Sequence, residues 1–338
     1  MAGATIADVA KRAKVSKSTV SQFLNKRFNY MSEDTKHRVE EAINELSYNP
    51  NVVARSLRQK KTETIGVIVA NILHSFSTEV IRAVEDTCHE HDFHVIVCNA
   101  DDDPQKEKRY VDMLRAKQVD GLIVFPTSDN RELYNSLMEE GYPLVFVDRR
   151  ITGVDVNVVA SDNEETVRVA IQEFVNHGYK EIAMVIPSLE KKLTPRMERK
   201  EGYQKALNMY ELLYNPDLFE SVNIEGVQDI FAKMLALPHR PQAILAGNDL
   251  VLFEILQYAK DQGLSIPEDI AVIGIDDVNF ADFFNPSLTT VAQPTFEMGQ
   301  KAAELLLEEI QNGRMTEPPG IHRFQPALKR RSSLEIST

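Results

Sequence analysis

The chain has 338 residues, and its 38 basic and 51 acidic side chains leave a formal net charge of −13. That length accommodates a small domain joined to one or two larger ones. No apolar stretch approaches the ~18 residues that a membrane span needs, and Cys88 and Cys98 stand in no metal-type CxxC spacing. A membrane-spanning protein, a disulfide-stapled small domain and a zinc finger are thereby excluded, and no metal or cofactor is expected. With no apolar leader ahead of the first helix, the sequence predicts a cytoplasmic, nucleoid-associated protein.

Charge is unevenly spread. Residues 1–61 hold 12 basic and 6 acidic side chains, and the rest of the chain holds 26 and 45. A basic head on an acidic body predicts that nucleic acid meets only the head.

The head opens with TIADVAKRAKVSKSTVSQFLN at residues 5–25. Ile6, Val9, Ala10 and Ala13 fall at i, i+3, i+4 and i+7, which makes one apolar helical face. Thr5 is placed to cap that helix, with Asp8 three residues on. A second helix follows Ser16, its expected N-cap. Val20 and Leu24 point inward, and Lys17, Ser18, Ser21 and Gln22 share the outer face. A small, polar and basic outer face suits the major groove, where base edges offer donors and acceptors. Ser32, Glu33 and Asp34 announce a third helix carrying Val39, Ala42, Ile43 and Leu46. After Pro50, VVARSL has the length of about one and a half helical turns, followed by the polar stretch RQKKTET.

These segments are where the chain resembles the lactose-repressor (LacI/GalR) family of bacterial transcription regulators. The likeness runs over nearly the whole length and rests on VSKSTVSQFLN, the YNPN and VARSL hinge, NDL at 248–250, and GIDD with PSLTTVAQP at 274–294. The resemblance implies an α/β protein with a small all-α helix-turn-helix head and a hinge helix. It also implies a two-lobed body like that of periplasmic binding proteins, with parallel sheets. The expected division is a head at 1–48, a hinge at 49–63, a first lobe at 64–161 plus 291–325, and a second lobe at 162–290. The expected DNA contacts are Thr5, Ser16, Lys17, Ser18, Thr19, Ser21, Gln22 and Asn25 in the head, with Asn51, Ala54, Arg55 and Leu57 in the hinge. Leu57 matches the family leucine that wedges between base pairs in the minor groove. Two positions depart from the family: Lys14 stands where many relatives place glycine in the turn, and Gln22 where arginine is frequent.

From Thr64 the chain reads as repeated strand and helix units. Apolar runs occur at 65–70, 94–100, 120–125, 143–148, 181–186, 242–249 and 270–277. Periodic helices separate them at 78–91, 105–116, 130–140, 164–176, 199–209, 250–262 and 296–311. That alternation predicts parallel sheets covered on both faces. In such sheets ligands sit beyond the carboxyl ends of the strands, which makes the polar residues there the candidates. Phe76 either offers an apolar face to a sugar ring or is itself a core aromatic at a helix start. Asp148 and Arg149 end one strand, and Asp162 with Asn163 match a family position at the crossing between lobes. Arg199 matches a family arginine that reaches the effector from a helix start. Asn248 has the paired donor and acceptor that vicinal hydroxyls need, Asp276 follows a strand as an acceptor, and Gln293 is a pocket-wall candidate. Lys191, Lys192, Arg196, Arg149 and Arg150 add positive charge around the expected cleft.

No GxSxG elbow, Walker loop, HExxH pair or GxGxxG after a strand is present, so no enzyme is expected. A sugar-binding protein without a DNA role accounts for the body but leaves residues 5–61 unexplained. The expected partners are pseudo-palindromic double-stranded operator DNA, a sugar, sugar acid or sugar phosphate, and a second copy of the chain. The final KRRSSLEIST carries no heptads, which predicts a homodimer rather than a tetramer.

Overall fold

The computed structural model describes residues 4–29, 31–48, 61–127, 129–313 and 318–335. It divides into two compact units that meet in sequence at Thr62 and Glu63. The hinge expectations at Asn51, Ala54, Arg55 and Leu57 lie outside the described residues.

The first unit holds three helices, α1 (Ile6–Ala13), α2 (Lys17–Leu24) and α3 (Glu33–Glu45). Each begins where a hydroxyl residue satisfies an otherwise unpaired amide. Thr5 and Asp8 form a reciprocal capping box, Ser16 accepts from the Thr19 amide, and Ser32 accepts from the Thr35 amide. Val9, Ala10, Ala13, Val20, Val39 and Ala42 make the buried core between the three helices. Lys14 ends α1 in the left-handed region, at φ 55°, which is the conformation that would favour a glycine there.

The second unit contains two six-stranded sheets. The first sheet uses β1 (Thr64–Val69), β2 (His94–Asn99), β3 (Gly121–Val124), β4 (Leu144–Val147), β5 (Asn157–Ser161) and β11 (Ile321–Phe324). The second uses β6 (Ile182–Pro187), β7 (Phe219–Val222), β8 (Ala243–Ala246), β9 (Ala271–Ile275), β10 (Thr289–Ala292) and β12 (Ala327–Lys329). Their orders, β11-β5-β4-β3-β1-β2 and β12-β10-β9-β8-β6-β7, correspond strand for strand. The pairings are parallel except β10 with β12. Central strands such as β1, β3, β4 and β9 are buried on both faces, which explains their unbroken apolar runs.

Helices α4 (Ser75–Glu90), α5 (Pro104–Ala116), α6 (Arg131–Glu139) and α11 (Thr295–Asn312) cover the first sheet. Helices α7 (Asn163–Asn176), α8 (Thr194–Met209), α9 (Val227–Leu235) and α10 (Asp249–Gln262) cover the second. The return of α11 to the first lobe buries Met298, Leu306, Leu307 and Ile310 against Ile65, Val84 and Val145. Each of those larger side chains contributes about 1.5–3 kcal/mol. Gly299 lets α11 approach α4 closely: a Cβ there would lie 2.6 Å from the Val80 carbonyl oxygen. Cys88 and Cys98 are buried free thiols, and burial pushes Cys88 up to about 12, so they pack as apolar groups.

The chain crosses between lobes near residues 162, 293 and 325. The second crossing follows Ala292 and not residue 290, because Val291 still pairs with Ile275 in β9. Residues beyond 325 rejoin the second lobe, where Leu328 pairs with Val291 and Leu334 is buried. Helix α8 starts at Thr194 and not Arg199. Pro195 stands in its first turn, where a missing N–H costs nothing.

Candidate DNA-facing helix and interlobe cleft

On α2 the expected contact residues form one exposed to half-buried face. Several are already engaged within the head. Thr5 is spent on the capping box. The Ser16 hydroxyl lies 2.6 Å from that of Ser18 and 2.9 Å from that of Thr19. Asn25 donates to the Ser21 carbonyl at 2.6 Å. Lys17 and Gln22 are exposed, and their side chains hold no hydrogen bond or ion pair among the described residues. A cation and a paired amide are thus left on a rigid helix surface, the groups that read guanine and adenine edges.

The cleft lies between the carboxyl ends of the two sheets. Seven of the eight sequence-predicted residues, Phe76, Asp148, Arg149, Arg199, Asn248, Asp276 and Gln293, converge on one cavity. The eighth, Asp162, does not line it. Its carboxylate accepts from the Glu165 amide at 3.0 Å and caps α7. Its neighbour Asn163 faces the site indirectly, because its Oδ1 accepts from Arg199 Nε at 3.0 Å. The periodicity of the sequence does not decide which of two adjacent polar residues caps and which turns inward.

Local structure sets each side chain. Asp148 follows β4 and Asp276 follows β9, corresponding strands of the two lobes. Both acids adopt left-handed backbone, at φ 66° and 80°, a strain characteristic of functional positions. Arg199, in the second turn of α8, donates through Nη1 to the Gly247 carbonyl at 2.7 Å. Behind it, Asn163 donates to Glu198 at 3.0 Å, and Arg323 of β11 donates to Glu198 at 2.7 Å. This chain of bonds across the lobes fixes the guanidinium and leaves Nη2 unpartnered among the described residues. Asn248 Oδ1 caps α10 by accepting from the Val251 amide at 2.9 Å, which leaves its amide N–H groups available. Gln293 donates to Asp276 at 2.6 Å, while the buried Gln293 Oε1 has no hydrogen-bond partner among the described residues. Burial raises the Asp276 pKa, with the Asp249 charge adding and Arg199 opposing. The apolar wall is Phe76 packed edge-on against Phe125, with ring centroids 6.1 Å apart.

Besides the Arg323–Glu198 bonds, two further contacts that the sequence does not anticipate join the lobes. His74 precedes α4 without capping it through its own side chain. Asp249 of α10 supplies the cap from the other lobe, accepting from the Ser75 amide at 2.8 Å and pairing with His74 Nδ1 at 2.6 Å. Burial works to raise the Asp249 pKa, but the His74 and Ser75 partners outweigh it and hold the carboxyl below its usual range. At the second contact Asp102 of the first lobe meets Arg149, Arg196 Nη2 at 3.8 Å, and Lys191 Nζ, which donates to its backbone carbonyl at 2.6 Å. Closure leaves a cavity of about 60 Å³, well under the ~300 Å³ at which small-molecule pockets begin. The signal for Asp249 was present in the NDL motif, but nothing local shows that its partner lies 174 residues away.

A family model described as bacterial regulatory proteins, lacI family, matches residues 5–51, and one described as a periplasmic binding protein-like domain matches 171–334. The probable HTH-type transcriptional regulator EndR of Paenibacillus polymyxa is 48% identical, covering 98% of both chains. The crystal structure of the lac repressor dimer bound to operator and the anti-inducer ONPF aligns at a TM-score of 0.84 and 25% identity. That alignment covers 98% of this chain and 99% of the other. The transcriptional regulator CelR in complex with cellobiose aligns at 0.72 and 27%, with the same coverage. The helix-turn-helix head, the paired parallel sheets and these relatives agree: the chain belongs to the lacI family of bacterial regulatory proteins, DNA-binding transcriptional regulators and not enzymes.

Proposed function

We propose that this regulator represses carbohydrate-utilisation genes in the cytoplasm. In this reading it binds a pseudo-palindromic operator as a homodimer and is controlled by a small-molecule effector in the interlobe cleft. The observation that carries the reading is the convergence of Asp148, Arg149, Arg199, Asn248, Asp276 and Gln293 from both lobes on one cavity. Donors and acceptors are mixed there, with one aromatic wall, a combination suited to a hydroxyl-rich ligand. The relatives support it in kind, since CelR is described with cellobiose and the lac repressor as a dimer on its operator.

The mechanism is a population shift. A ligand changes operator affinity only if it binds the open and closed cleft with different free energy. Here the Asp249 cap and the Asp102 cluster stabilise the closed form without ligand, and a ligand in the cavity must replace or rearrange them. Two-fold symmetry of a dimer gives matching half-sites. Binding-site selection from random DNA, followed by a mobility shift with and without candidate sugars, tests the reading. A palindromic consensus whose complex responds to a sugar is expected. A protein that selects no consensus sequence contradicts it.

A further inference from the structure

The chain beyond residue 61 is acidic, with 45 acids against 26 bases, yet the cleft inverts that balance. Arg149, Arg196 and Arg199 line the cavity against Asp148 and Asp276. An adjoining groove of about 1,110 Å³ takes up where Arg150 follows Arg149 and Thr194 precedes Pro195. Five cations from both lobes, Lys108, Arg131, Arg150, Lys191 and Lys192, outnumber the three carboxylates that line it. An excess of one sign of charge around a recess concentrates ligands of the opposite sign there.

Within the cavity the cations are incompletely paired. Asp102 and Asp148 together face Arg149 and Arg196, Arg196 Nη1 donates to the Ser188 carbonyl at 2.8 Å, and the Asp102 backbone carbonyl takes Lys191. The buried Arg149 Nε makes no hydrogen bond among the described residues and meets Asp148 Oδ2 at 3.5 Å. Burial and the neighbouring charge of Arg149 pull Arg196 down to about 10, a crowding of cations that an added oxyanion relieves.

We propose that the effector is an anion, a polyol bearing a carboxylate or phosphate that sits against Arg149 and Arg196 while Arg199, Asn248 and Asp276 take its hydroxyls. The inference rests on the cleft being the effector site. Guanidinium forks match both oxyanions. Asp102 belongs to the first lobe and Arg196 to the second, so an anion that draws Arg196 away loosens a contact between lobes.

Calorimetry on the full chain compares glucose with glucuronate and glucose 6-phosphate, and galactose with galacturonate and galactose 6-phosphate. At least one charged member is expected to bind about tenfold or more tighter than its neutral parent, and whether uronate or phosphate wins identifies the oxyanion. Arg196→Gln should erase that advantage. If Arg196→Gln fails to melt cooperatively, the exposed pair Arg150→Gln with Lys192→Gln should reduce the advantage about threefold, through the field alone. Neutral parents binding as tightly as their charged partners, or no charged probe binding at about 10 mM, overturns the anion and leaves the cleft standing. Anion binding unmoved by Arg196→Gln, or by the exposed pair where it stands in, also overturns it. Anion binding that is equally unmoved by Asn248→Ala removes the cleft assignment as well.

Discussion

At the scale of single residues, the head separates side chains that build it from those left to read DNA. Ser16, Thr19 and Asn25 are committed to local hydrogen bonds, whereas Lys17 and Gln22 are not. A glutamine prefers adenine through its paired donor and acceptor. Gln22→Ala should relax preference at one base pair by about 1–3 kcal/mol without changing the salt dependence of binding. Binding-site selection that returns the same preference for mutant and wild type rules out base reading by Gln22. In the cleft, burial raises the pKa of Asp276 above the usual carboxylate range. A carboxyl whose native pKa is raised contributes stability that is present below its unfolded pKa and lost as pH rises through the native value. Asp276→Asn keeps an acceptor for Gln293 and tolerates the left-handed backbone. Urea melts should therefore show the variant losing less stability than wild type above about pH 4, while its affinity for the effector falls. Parallel melting curves for the two proteins would show that Asp276 is ionised at no cost. The type and position of these residues were legible in the sequence; their commitments were not, as Asp162 and Asn163 show. A capping bond and an inward-facing amide are the same sequence signal one residue apart.

At the scale of elements, the helices and central strands were legible because their periodicities are strong. The peripheral pieces were not. β7 is half-buried throughout and β11 alternates exposed with half-buried positions, so neither carries the continuous apolar run of a central strand. β12 enters the second sheet antiparallel with three residues, too short for any period to register. Packing between α4 and α11 depends on Gly299, where helix propensity and tertiary contact oppose each other. Alanine is favoured by about 1 kcal/mol in an isolated helix, but here its Cβ would meet Val80 and Ala83 within 2.7 Å. Contact should win, and Gly299→Ala should destabilise the chain by about 1–3 kcal/mol in denaturant. A stabilised variant would mean that the helices separate freely. The cap that Asp249 gives α4 is the other junction. Asp249→Asn removes the charge from that cap and should speed amide exchange at Ser75–Thr78, the end of α4 that the other lobe completes. Unchanged exchange there would show that the contact is incidental. Because the Asp249 pKa is depressed, its contribution is present above the ordinary value of about 3.9 and is lost as pH falls through the lower native value. Through Asp249, closure should loosen in acid.

At the scale of the whole molecule, the sequence showed a basic head, an acidic body and two similar α/β halves, and those features carry the family and the fold. The closed state was not legible, because it depends on Asp249 with Ser75 and Asp102 with Arg196. These pairs are 174 and 94 residues apart, and no local pattern joins them. In the proposed mechanism, a ligand bound in the cleft changes the affinity of the head for its operator. Losing the Arg199 guanidinium leaves buried partners unpaired and costs about 1–3 kcal/mol or more of ligand binding. Its contacts, Asn163 and Gly247, lie within the body. The most direct measurement is an operator titration of wild type and Arg199→Ala across a series of hexoses, hexuronates and hexose phosphates. Wild-type operator affinity should shift with at least one of these compounds. Arg199→Ala should match wild-type operator affinity without ligand and show no shift. A variant that responds as wild type does would place the controlling site outside the cleft.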